Sequence, residues 1–197
     1  MRTKFLLFAT ALFVFGKAAN AQDVHFGLKA GANFSTINTE GTDATYNSRT
    51  GFHVGALVHI HLNKNWAIQP ELVYSLQGGK SKLPAGGTQT INLSYLNVPI
   101  LLQYMFENGF RLQTGPQLGF LLGANYKTGD ANTSVTDSYN KTDFAWSFGA
   151  GYLTKSGVGV DARYNLGLSD AYKPGTAKQK NNVFQLGLFY LFNHKSK

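Results

Sequence analysis

The chain has no cysteine, five prolines, two methionines and a charged fraction of only 14 % in 197 residues. Without cysteine there is no disulfide, no thiolate-bound metal and no cysteine nucleophile. Few methionines and few charges argue against an ordinary soluble helical protein. A long apolar run is also lacking: the one hydrophobic stretch, residues 5–16, is shorter than the ~20 residues of a spanning helix. The formal net charge is +8, yet no dense Lys/Arg stripe exists to follow phosphates, so no nucleic-acid partner is expected. What the chain has in quantity is 22 glycines, 15 phenylalanines and 10 tyrosines, a composition of β-strands and tight turns. Its length suffices for one domain with a full core.

Residues 1–21 read as an address. Arg2 and Lys4 precede the apolar run, and Ala19-Asn20-Ala21 supplies a small-x-small cleavage site before Gln22. That is the build of a secretory signal peptide. The expected organisation is a leader at 1–21, a β-barrel domain at 22–192 and a short tail at 193–197.

From Val24 onward the hydrophobic period is two. The last segment is the clearest: Phe184, Leu186, Leu188, Tyr190 and Phe192 share one face, and Val183, Gln185, Gly187, Phe189 and Leu191 the other. Seven earlier segments repeat the pattern, at 24–35, 52–62, 66–77, 96–106, 110–123, 144–153 and 158–169. Strands of this length cross a bilayer at a tilt. The connections sort into three tight turns (Asn63-Lys64-Asn65, Glu107-Asn108-Gly109, Lys155-Ser156-Gly157) and long polar stretches to Arg49, at 78–90, at 127–141 and at 170–181. An even strand number with alternating long and short connections predicts an all-β, eight-stranded antiparallel up-and-down transmembrane β-barrel. Its short turns would be periplasmic and its long loops extracellular.

The two faces then acquire meanings. Strand-borne charges fall on the less apolar set, at Lys29, Glu71, Arg111, Asp161 and Arg163. Aromatics of the other set gather near strand ends. Trp66, Tyr104, Phe110 and Tyr152 lie by the short turns, and Phe144 and Trp146 by the long ones. Two aromatic belts around an aliphatic band mark two membrane–water interfaces. A soluble eight-stranded barrel would invert the faces. Eight strands leave a lumen just wide enough for side chains, and inward glycines such as Gly27, Gly55, Gly149 and Gly187 make room for large neighbours. The five charges are therefore expected to pair into a network that plugs the barrel, since unpaired buried charges are costly.

His53, His59 and His61 share a face, but no carboxylate accompanies them at metal-ligand spacing, and no cofactor is expected. Ser75, His53 and Glu71 lie on neighbouring strands in the manner of a hydrolase trio, with nothing in their spacing to mark them. Gly115, Gly119 and Gly123 resemble a GxxxG seam, but Pro116 and the period of two favour a strand. The Asn-x-Ser/Thr triplets at Asn33, Asn92, Asn132 and Asn140 read as chance in an Asn- and Thr-rich chain.

Four blocks carry a family resemblance: residues 68–75 (IQPELVYS), 95–102 (YLNVPILL), 112–116 (LQTGP) and 161–168 (DARYNLGL). In this order they resemble the PorT-like outer-membrane β-barrel family. Gln185, Gly187, Tyr190 and Phe192 also resemble the C-terminal β-signal read by the barrel-assembly machinery, here followed by five further residues. The resemblance implies an outer-membrane location with lipid and the assembly machinery as partners, and it fixes no activity. The expected function is that of a non-enzymatic, structural or accessory barrel with a mostly filled lumen, whose extracellular loops meet a protein partner. A narrow porin-like channel and an outer-membrane lipid hydrolase are the alternatives.

Overall fold

A computed structural model describes residues 24–40, 47–83, 86–173 and 178–193. The leader at 1–21 and most of the tail lie outside the described residues. The strands are β1 (Val24–Glu40), β2 (Arg49–His61), β3 (Trp66–Lys82), β4 (Thr88–Met105), β5 (Phe110–Thr128), β6 (Ala131–Ser134), β7 (Thr142–Leu153), β8 (Val158–Gly167) and β9 (Lys178–Leu191). Eight of them pair antiparallel with their chain neighbours, and β1 pairs with β9 from Gly27↔Leu191 to Glu40↔Lys178, closing the ring. The ninth, β6, lies outside the ring and folds back on β5 as a hairpin. The described residues contain no helix long and apolar enough to cross a membrane, which says nothing of a β-barrel.

Alternation sets the wall. Phe26 and Leu188 are each 63 % exposed on the outer face, while Lys29 and Arg163 are 4 % and 2 % exposed inside. The three tight turns span 62–65, 106–109 and 154–157. Each follows from local chemistry: the Asn63 side-chain oxygen accepts from the Asn65 and Trp66 amides, at 2.9 Å each. Gly109 and Gly157 take φ of 90° and 88°, a conformation in which a side chain would be strained.

The opposite end departs from the sequence reading. β1 and β3 run 17 residues, β4 18 and β5 19, well beyond the ~9–11 that a bilayer requires. The stretch 78–90, read as a loop, is mostly strand, paired from Gly78↔Asn92 to Lys82↔Thr88. Beyond the lipid the outer face turns polar while the inner face turns apolar, with Ile37, Ile91 and Leu93 buried. The sequence pattern inverts there and reads as a polar loop. A bulge adds a second departure. Ser94 pairs with Gly123 but Tyr95 with Leu121, leaving Leu122 as an extra residue. Gly123 therefore leaves the inward set to which alternation assigned it, and Ala124 becomes buried in its place.

Candidate functional site

The lumen is built in storeys. Nearest the short turns, Leu57, Leu153, Phe189 and Leu191 form a small apolar floor. Phe189 lies flat against Gly159, where a methyl group would overlap the ring. Arg111 lies over that ring, with its guanidinium carbon 5.4 Å from the centroid, and donates from Nη1 to Gln103 Oε1 at 3.3 Å.

Above the floor sits the ionic storey. Arg163 (β8) donates to both Glu71 (β3) oxygens, Nη2 to Oε1 at 2.8 Å and Nη1 to Oε2 at 2.9 Å. This fork-to-fork pairing is the strongest geometry open to the two groups. Lys29 (β1) bridges Glu71 at 3.3 Å and Asp161 at 3.1 Å, and Asp161 also accepts from Arg163 at 3.3 Å. Gln69 adds a fourth donor to Glu71, at 2.8 Å. The carboxylate thus accepts four hydrogen bonds, its full complement. Three strands that are not neighbours in the ring are tied across its axis. Four of the five charges singled out in the sequence, Lys29, Glu71, Asp161 and Arg163, share this cluster. Arg111 stands apart on Phe189 and Gln103, and is in no salt bridge among the described residues.

A storey of amides follows. Asn33 donates to Ser75 Oγ at 2.9 Å and to the Leu76 carbonyl at 3.0 Å. Its side-chain oxygen accepts from Gln185 at 2.9 Å and from His53 Nδ1 at 2.8 Å. Because that oxygen only accepts, the Nδ1 of His53 carries the proton. The sequence marks Asn33 only as the start of a chance Asn-x-Ser triplet, not as a lumen residue. Its only lumen signal was an inward amide on a strand otherwise lined there by Gly27, Lys29 and Gly31.

Over the amides an apolar cap closes the mouth: Ile37, Ile91, Leu93, Tyr95, Ala124, Tyr139 and Ala171 are all buried. Tyr139 comes from the 3-10 turn after β6 and is tied to the β8–β9 connection. Its ring meets Tyr172 edge-on at 5.3 Å, its hydroxyl lies 3.2 Å from that of Tyr126, and Asn140 bonds the Asp170 and Tyr172 carbonyls at 2.7 and 3.1 Å. No sequence signal pointed to this clamp, because its two halves lie in separate polar stretches.

The remaining candidates find their places. The hydrolase trio does not converge: His53 faces Asn33, Ser75 Oγ accepts from Asn33 and from Gln77 at 2.8 Å, and Glu71 is saturated by Arg163, Lys29 and Gln69. The histidines form ring and amide contacts rather than a ligand set. His59 Nδ1 meets Gln69 Oε1 at 3.1 Å, His61 packs edge-on against the His59 ring at 4.6 Å, and no group of three His, Asp or Glu among the described residues is arranged to hold a metal. Outside, Trp66, Tyr104, Phe106 and Phe110 form a chain of ring contacts at 5.0, 4.9 and 5.6 Å, and Tyr152 is the register partner of Phe110. At the other end Phe144 and Trp146 face outward, the indole donating to Thr114 at 2.9 Å. On β9, Gln185 and Gly187 point inward, while Tyr190 and, just past the strand, Phe192 face out in edge contact at 5.4 Å.

Comparison with known proteins agrees with this architecture. Neisserial surface protein A (NspA) superposes with a TM-score of 0.55 at 16 % identity, over 84 % of this chain and 96 % of that one. Ail, the attachment invasion locus protein of Yersinia pestis, superposes with a TM-score of 0.51 at 16 % identity, over 86 % and 99 %. At such identities the likeness is one of fold. No curated protein matches the chain. A family model described as outer membrane protein beta-barrel domain matches residues 20–173. The chain belongs to that family and is an outer-membrane β-barrel protein.

Proposed function

We propose that the protein is a sealed, non-enzymatic barrel that acts through its extracellular face, as a structural or accessory element with loops that meet a partner. The Arg163–Glu71 fork, buried mid-lumen with Lys29 and Asp161 on either side, carries the reading. A solute would have to separate four charges whose salt bridges, among the described residues, are all to one another, between an apolar floor and an apolar cap. The four sequence blocks noted above further suggest the PorT-like branch of the family. The cleaved leader at 1–21 and the β-signal at Gln185, Gly187, Tyr190 and Phe192 fit delivery by the export and barrel-assembly machineries.

The test is conductance of the purified full chain in planar bilayers. Sealed bilayers are the expected result, and discrete single-channel steps would replace this reading with the narrow channel. The same preparation should release no fatty acid from phospholipid; release abolished by His53→Ala would restore the hydrolase. N-terminal sequencing of membrane-extracted protein should begin at Gln22.

A further inference from the structure

The outer surface of the wall does not stop where the lipid stops. On β3, β4 and β5 the last outward apolar residues are Leu76, Leu96 and Leu122. Beyond them the same face continues as a polar sheet. Residues in antiparallel register share a face, so the pairings define its rows. The lower row reads Gly78, Asn92, Asn125, Ser134 across β3 to β6. The next reads Asn47, Lys80, Thr90, Lys127, Asn132, with Asn47 held by a two-bond bridge to Lys80. Above it lie Lys82 and Thr88. No described residue in these rows is acidic; Asp130 sits beyond them in the β5–β6 turn. Lys80, Lys82 and Lys127 are exposed and in no salt bridge among the described residues.

Spacing and height narrow the partner. Lys80 and Lys82 are two residues apart on one strand, about 7 Å, and Lys80 and Lys127 are two strands apart, about 10 Å. Three ammonium groups at such separations suit more than one phosphate. Lys80 lies four residues past Leu76, about 13 Å along the strand, or about 10 Å higher at a barrel's tilt. An ordinary headgroup layer is only about 5–8 Å deep, so the lysines stand above it. Between them and the lipid edge come amides and hydroxyls, which pair with the hydroxyls of sugars.

We propose that this outward β3–β6 face binds the phosphorylated sugar headgroups of outer-leaflet glycolipids. The face is continuous with the lipid-contacting wall, and its charge is complementary to phosphate. The proposal rests on the reading that the long extensions face the exterior. It is independent of whether the lumen conducts, so a channel found in planar bilayers would leave it standing.

Native mass spectrometry of the detergent-solubilised full chain tests it, with three probes: a diphosphorylated, multiply acylated glucosamine disaccharide, the same lipid after phosphatase treatment, and phosphatidylglycerol. The phosphorylated glycolipid should bind on the order of tenfold more tightly than either control. Lys80→Gln/Lys82→Gln/Lys127→Gln should lose that preference, and the corresponding triple arginine variant should keep it. Lys64→Gln/Lys155→Gln, at the short-turn rim, should bind as the parent does. Equal binding of the phosphatase-treated lipid, or of phosphatidylglycerol, overturns the proposal. Loss in the short-turn variant instead overturns both the proposal and the sidedness beneath it.

Discussion

Replacing Glu71 by alanine should be far more damaging than its single side chain suggests. In the parent its carboxylate accepts four hydrogen bonds, two of them from the Arg163 fork. In the variant, among the described residues, Arg163 keeps Asp161 and Gln113, each at 3.3 Å, and Lys29 keeps Asp161, at 3.1 Å. Two buried cations then share one carboxylate. Breaking a buried pair by removing one partner costs about 3–5 kcal/mol, out of a total stability of order 5–15 kcal/mol. Urea unfolding from lipid vesicles reads this directly through the emission of Trp66 and Trp146, both of which face outward. With slopes of about 1–3 kcal/mol per molar urea, the midpoint should fall by at least about 1 M at unchanged slope. Glu71→Met/Arg163→Met removes both charges while Lys29 and Asp161 remain paired, and should cost less than the two single variants combined. A parental midpoint in Glu71→Ala, or strict additivity in the double variant, would refute the argument that the cluster is one interdependent unit.

Three further outcomes follow from other storeys. Gly159→Ala places a methyl group against the Phe189 ring and should destabilise by about 1–3 kcal/mol; Phe189→Leu in the same chain should return part of the loss, measured by the same urea midpoints. Tyr139→Ala removes a buried ring from the cap, so limited proteolysis should begin to cut within 129–141 while bilayer conductance stays absent, because the ionic storey is untouched. Lys64 and Glu107 form an exposed pair at 2.6 Å on the short-turn rim. Each shifts the other, the Lys64 hydrogen bond and charge holding Glu107 below the usual carboxylate range and Glu107 holding Lys64 above its ordinary value. The pair's small contribution is therefore fading as pH falls through the folded-state titration of Glu107 and again as pH rises through that of Lys64. NMR titration should show Glu107 returning to an ordinary carboxylate value in Lys64→Gln.

The membrane-spanning part was legible because a bilayer imposes a strict contrast. Where one face meets hydrocarbon and the other a polar lumen, as from Trp66 to Leu76, alternation gives both the strand and its orientation. The tight turns were equally plain from Asn63, Gly109 and Gly157. Legibility fails where the contrast fails. In Ile91-Asn92-Leu93-Ser94-Tyr95 the alternation persists, but the apolar residues have changed sides, and the surrounding Gly, Thr and Lys look like a loop. The Leu122 bulge leaves no trace in composition. Among the charges, Lys29, Glu71, Asp161 and Arg163 could be grouped as inward charges from parity alone. Parity does not say which neighbours they choose, so the distance of Arg111 from that group, and the central position of Asn33, required coordinates. The Tyr139–Tyr172 clamp joins residues that no periodicity relates.

The seam between the first strand and the last has a consequence for biogenesis. A slip of one residue there would turn Lys29 and Asn33 toward hydrocarbon and bring Leu28 and Phe34 into the lumen. Lys29 finds its counter-ions on β3 and β8, which are in place only when the other strands have arrived. A misaligned closure is thus penalised twice, once in lipid and once in the orphaned carboxylates. The charge cluster pins the register of the one seam that closes the ring.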